Sequence, residues 1–172
     1  MYSKFDRRTN TQLVLMRRRF FMPWYELTDG QLTYGRLSFQ GFMRRNAVVE
    51  TADSKWLFEH DGFFTRTILI RSGGEVIGRL TRGLFGSASL RMIDGFEAEF
   101  SRQDILPAIF AWNTTRFGEV VKLKQDYFTL FTFRSIDITI DPNSMQVPVV
   151  PLLCFLGSYL IILRKRRKAA AR

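Results

Sequence analysis

His60 and Cys154 are the single histidine and the single cysteine of this chain. A metal centre needs several nitrogen, sulfur or oxygen ligands at short spacing, and these two residues stand far apart, so no metal and no cofactor is expected. His60 reads as a strand-end side chain ahead of a turn. Cys154 sits within "PLLCFLGSY" with no basic neighbour in sequence, the setting of a buried, inert thiol rather than a nucleophile. Glu97 and Glu99 alternate along one strand face and could in principle work as an acid and base pair, but solvated strand positions explain them as well. "SGGEVIG" has the glycines of a tight hairpin and lacks the strand-loop-helix order of a phosphate loop. No catalytic residue is assigned, and the chain is expected not to be an enzyme.

Cations are the remaining chemistry. The formal charge is +10, and it is unevenly placed. Residues 1–20 hold six cations against Asp6, a net of +5; residues 164–172 hold six cations and no acid; the residues between sum to −1. Arg17, Arg18 and Arg19 lie in "LVLMRRRFFMPW", where bracketing apolar residues fit either a lipid interface or a hydrophobic strand with a basic edge. Arg164, Lys165, Arg166, Arg167 and Lys168 follow the apolar C-terminal run. Such a cluster can contact anionic headgroups at about 1 kcal/mol per cation, or it can simply neutralise the negative end of a helix dipole and remain solvated.

The elements that would position these groups are mostly strands. A length of 172 residues fits one domain with a single core, and seventeen Phe, five Tyr and three Trp favour pleated, half-buried surfaces. "RTILIRSGGEVIGRL" places Ser72-Gly73-Gly74 between β-branched runs, a hairpin signal. "SASLRMIDGFEAEF" places a two-residue turn at Asp94-Gly95, with Phe96, Ala98 and Phe100 on one face and Glu97 and Glu99 on the other. "EVVKLKQDYFTLFTF" alternates twice around a turn at Asp126, and "KWLFEHDGFF" puts Trp56 and Phe58 on one face. Pro107 in "SRQDILPAIFAW" marks an edge strand or a short helical turn. Between Leu32 and Ile140 the spacing gives about eight to eleven strands, a sandwich or a barrel.

"PVVPLLCFLGSYLIILRKRRK" supplies the one strong helical segment. Residues 147–163 would give about 25 Å of helix at 1.5 Å per residue, against about 30 Å for a bilayer core. Pro148 and Pro151 suit a helix start, which narrows the helix to about residues 152–163. Leu152, Leu153, Phe155, Leu156, Tyr159, Leu160, Ile161, Ile162 and Leu163 cover every side of it, so lipid or protein must surround it. The basic tail would hold a spanning C-terminus inside, while "MYSKFDRRTNTQ" lacks an apolar export signal. Enclosure by protein avoids that conflict.

Short antiparallel strands, among them "KWLFEHDGFFTRTILIRSGGEVIGRL", followed by the apolar "PLLCFLGSYLIIL" resemble the tubby C-terminal-like superfamily of tubby proteins, phospholipid scramblases and LURP-one-related proteins. The resemblance covers about residues 30–165. It implies a barrel of about twelve strands closed around a hydrophobic C-terminal helix. The acidic calcium-binding segment of scramblases is not matched, since Asp137 and Asp141 in "DITIDPNS" read equally as strand-end residues, and no phosphoinositide pocket can be placed.

The expectation is therefore mainly β: an antiparallel barrel of about 10–12 strands around one apolar C-terminal helix. Residues 1–22 form a basic N-terminal segment, residues 23–163 one barrel domain, and residues 164–172 a basic tail. Function is expected to be non-enzymatic binding or tethering at anionic membrane surfaces, with anionic lipids as partners and a cytoplasmic, membrane-associated location. The alternatives are a single-pass protein anchored by residues 147–163 and nucleic-acid binding through the basic tails.

Overall fold

The computed structural model describes residues 1–6, 11–19, 21–62, 64–105, 107–125, 135–144 and 147–171. Twelve strands follow in chain order: β1 (Gln12–Arg18), β2 (Trp24–Thr28), β3 (Thr33–Gln40), β4 (Asn46–Thr51), β5 (Lys55–His60), β6 (Thr67–Ser72), β7 (Glu75–Arg82), β8 (Ala88–Met92), β9 (Glu97–Asp104), β10 (Ile109–Thr114), β11 (Gly118–Gln125) and β12 (Ser135–Ile140). The helix α1 (Val150–Ala170) comes last. Each strand pairs antiparallel with its neighbours in sequence, and β1 pairs with β12 to close the barrel. Closure removes every free edge, the liability of an open sheet.

Alternation fixes the register. Leu15 of β1 lies opposite Leu27 of β2 and Ile136 of β12, and all three are buried. A slip of one residue would turn such positions outward. Ala98 and Phe100 of β9 point inward while Glu97 and Glu99 are exposed, as the alternation requires. Gly73 and Gly74 take the positive φ that the β6–β7 hairpin needs. The β8–β9 connection is longer than the two-residue turn expected at Asp94-Gly95: it spans residues 93–96, where the Asp94 carboxylate accepts the Phe96 N–H at 3.0 Å and Gly95 N–H reaches the Met92 carbonyl. Pro107 lies in a turn between β9 and β10. The second alternating run expected beyond the turn at Asp126 lies outside the described residues.

The helix fills the barrel. Residues 152–163 are buried on every side, and their contacts come from opposite walls. Tyr159 packs on Phe39 of β3 and Phe58 of β5, whereas the Trp112 indole N–H of β10 donates to the Leu153 carbonyl at 2.9 Å. Two glycines permit this fit: a Cβ at Gly35 would meet the Phe155 ring at 2.8 Å, and one at Gly157 would meet Trp112 at 2.8 Å and Leu123 at 3.0 Å. The Ser158 hydroxyl, buried with the rest, donates to the Cys154 carbonyl at 2.8 Å.

Two boundaries differ from the sequence reading. Residues 12–18 of the segment 1–22 are the strand that closes the barrel, because Leu13 and Leu15 provide an inward face. The helix starts at Val150 and runs on through the basic residues to Ala170, since Arg, Lys and Ala are good helix formers and cations suit a helix C-terminus. Finally, the apolar turns weighed as an anchor are enclosed by strands, and no helix among the described residues is long and apolar enough to cross a membrane.

Candidate functional site

In a barrel of successive hairpins, alternate connections share an end. The C-terminus of α1 emerges at the end formed by the described residues of the β1–β2, β3–β4, β5–β6, β7–β8 and β9–β10 connections. Contacts place it there: the Arg164 guanidinium donates to the Phe85 carbonyl at 3.4 Å, and that of Arg166 donates to the Arg44 carbonyl at 3.2 Å.

These connections carry a consistent pair of side-chain types at their tips and roots. Phe21 and Met22, Met43, Phe64, Leu84 and Phe85, and Ile105 are exposed, with Phe64 at 93% and Phe85 at 91%. The connections and the strand ends beside them also carry Arg44, Arg45, Arg66 and Arg82, and the cations anticipated from sequence lie at the same end. The non-glycine residues with positive φ among the described residues are Arg19, Met22, Met43, Arg44 and Phe85, all in this set of connections. Bulky side chains in left-handed backbone are uncommon and tend to mark places where function, not stability, sets the conformation.

The structure brings the two cationic segments together. Burial, and then the nearby Arg17, lower the Lys165 pKa. Arg18 pairs with Glu26 at 2.6 Å, and Arg19 is exposed in the adjoining turn. Arg164 lies 5.6 Å from the Phe110 ring and Arg166 lies 3.9 Å from that of Phe39, so aromatic faces and helix stems hold both guanidinium groups. Arg167 and Lys168 are exposed on the final turns. Among the described residues, Asp61 lies in these connections, and Glu59, Asp104 and Glu26 lie in the strands close to them.

Crowded cations shift their neighbours. Burial first, then Arg45, Arg82 and Arg167, push the His60 imidazole down to about 4. Burial and the nearby Arg167 bring Arg82 down to about 10, and Arg167 is lowered by burial and Arg45. Tyr159 is raised by burial. Its hydroxyl donates to the Arg45 carbonyl at 2.6 Å and lies 3.4 Å from His60 Nδ1.

The other sequence candidates have structural explanations. Burial pushes the Cys154 thiol up to about 12, within the helix core. Glu97 pairs with Arg91 at 3.2 Å and Glu99 accepts the Ser89 hydroxyl at 2.9 Å, both outside the barrel. Among the described residues no group of three or more His, Cys, Asp or Glu side chains could hold a metal ion. Lys4, counted with the N-terminal cations, pairs instead with Asp53 at 3.4 Å, at the opposite end.

Sequence reasoning missed Arg44, Arg45, Arg66, Arg82 and the apolar tips outside "LVLMRRRFFMPW". The signal was present, because sorting the hairpin turns into alternate sets would have placed these residues together, but it becomes readable only once the strands are known to form one closed meander. No family model matches the chain, and no curated protein and no solved structure does either.

Proposed function

We propose that this chain is a non-enzymatic module that docks on anionic membrane surfaces through the helix-exit end of its barrel, and so binds or tethers at the membrane. The observation that carries this reading is the coincidence, at one end, of exposed Phe, Met, Leu and Ile tips with Arg44, Arg45, Arg66, Arg82 and the residues 164–168. Apolar side chains enter the headgroup and acyl boundary while cations remain among the phosphates. Exposed clusters of large apolar side chains mark interaction surfaces more often than chance exposure does. Kinship with tubby-like proteins is part of the same proposal; a closed twelve-stranded barrel around a C-terminal helix supports it, and it adds no ligand site.

Co-sedimentation with vesicles tests the docking. Binding is expected to require phosphatidylserine in a phosphatidylcholine background and to weaken as salt rises. Replacing all five of Arg164, Lys165, Arg166, Arg167 and Lys168 by glutamine should reduce binding by about tenfold or more, given about 1 kcal/mol per cation near the surface. Equal binding to neutral vesicles, or binding untouched by those substitutions, would count against the proposal. Tight, salt-dependent capture of nucleic acid with no vesicle binding would assign the basic end to a different partner.

A further inference from the structure

Beside the helix exit, a cleft of about 440 Å³ opens between residues 83–87 and the last buried turns of α1. Its floor is apolar, with Phe100, Phe110 and Leu160, and its rim is cationic, with Arg66, Arg82 and Arg167. Among the described residues no carboxylate forms an ion pair with any of the three. Arg82 Nε is shielded from water with no hydrogen-bond partner among the described residues, and Nη2 donates to the Thr65 carbonyl at 3.4 Å. With no carboxylate partner among the described residues, the guanidinium groups on the rim keep N–H donors that an arriving anion can accept from. The cleft's size falls within the range of small-molecule sites.

Neither half of this cleft is satisfied by a one-sided ligand. A small inorganic anion would leave the aromatic floor wet, and a neutral hydrocarbon would leave the guanidinium groups unmatched. We propose that the cleft binds a single-chain amphiphile with an anionic head group, its acyl chain along Phe100, Phe110 and Leu160 and its head group on Arg82 and Arg167. Guanidinium forks donate to carboxylate and phosphate oxygens alike. This site stands on the cleft alone and does not require the barrel end to dock on a bilayer, so the vesicle experiment and the one below can fail separately.

The test uses the full-length protein, free of detergent and vesicles, with cis-parinarate as a fluorescent long-chain carboxylate. A saturable rise in fluorescence is expected. Displacement by oleate identifies a carboxylate ligand and displacement by lysophosphatidate a phosphate one, whereas methyl oleate, which keeps the chain and lacks the charge, should compete about tenfold more weakly or worse. Arg82→Gln and Arg167→Gln should each weaken parinarate binding, and together by about tenfold or more. Arg167 is exposed, so Arg167→Gln serves if Arg82→Gln fails to fold. Absence of saturable binding, equal competition by methyl oleate, or undiminished binding by the folded variants would overturn the site.

Discussion

Tyr159 shows how a side chain can tie the helix to the barrel end and set the state of its neighbour. Its hydroxyl proton is committed to the Arg45 carbonyl at 2.6 Å, so at the 3.4 Å contact His60 Nδ1 must be the donor. His60 Nε2 is then a bare, buried nitrogen without a partner among the described residues. Burial opposes protonating it, and the cation formed would also stand beside Arg45, Arg82 and Arg167, so its pKa falls to about 4. In the unfolded chain it titrates near 6.5, so between these values the unfolded state binds more protons and stability declines as the pH falls. Melting temperature should therefore drop between pH 6.5 and 4.5, and His60→Gln should flatten part of that drop; identical slopes for the two proteins would refute the argument. The position of His60 at the end of a strand was legible from "KWLFEHDG". Its partner was not, because Tyr159 is 99 residues away in the chain.

At the scale of the element, α1 is the core about which the strands close. Periodicity could not assign it to lipid or protein, because a helix apolar on every side satisfies both. Trp112, Phe39 and Phe58 meet it from opposite walls, and Gly35 and Gly157 let it approach. Those glycines gave no signal in sequence, since only a close contact with another element distinguishes them from turn glycines. Truncation before Val150 should leave Leu15, Leu37, Phe58, Leu80 and the other inward residues around a void, and cavity costs of this kind grow with volume. The truncated chain is expected to lose cooperative thermal unfolding and near-UV circular dichroism. A soluble, cooperatively melting product would mean that the barrel stands without its helix. The β1 strand and the long basic run of α1 were misplaced for a related reason: charge drew attention to their cations, while burial of Leu13 and Leu15, and the helix-forming tendency of Arg, Lys and Ala, decided their structure.

The whole molecule is polarised along the barrel axis. Cations and most of the exposed apolar tips crown the end where α1 emerges, while Asp29, Asp53 and Asp94 occupy turns at the other, which also exposes Leu32 and Ile93. Fold class was legible in the sequence because alternation and turn residues recur along the chain; polarity was hidden because it depends on which turns share an end. Orientation on a membrane is accordingly the central claim, and site-directed fluorescence tests it most directly. Cys154 is buried, so Phe85→Cys and Ile93→Cys, both at exposed positions of connections at opposite ends, can each carry an environment-sensitive label on the folded protein. On phosphatidylserine-containing vesicles the label at position 85 should shift to the blue and be quenched by lipid-borne quenchers, while that at position 93 stays as in water. A shift at position 93, or at neither position while the protein is bound, would contradict docking through the helix-exit end.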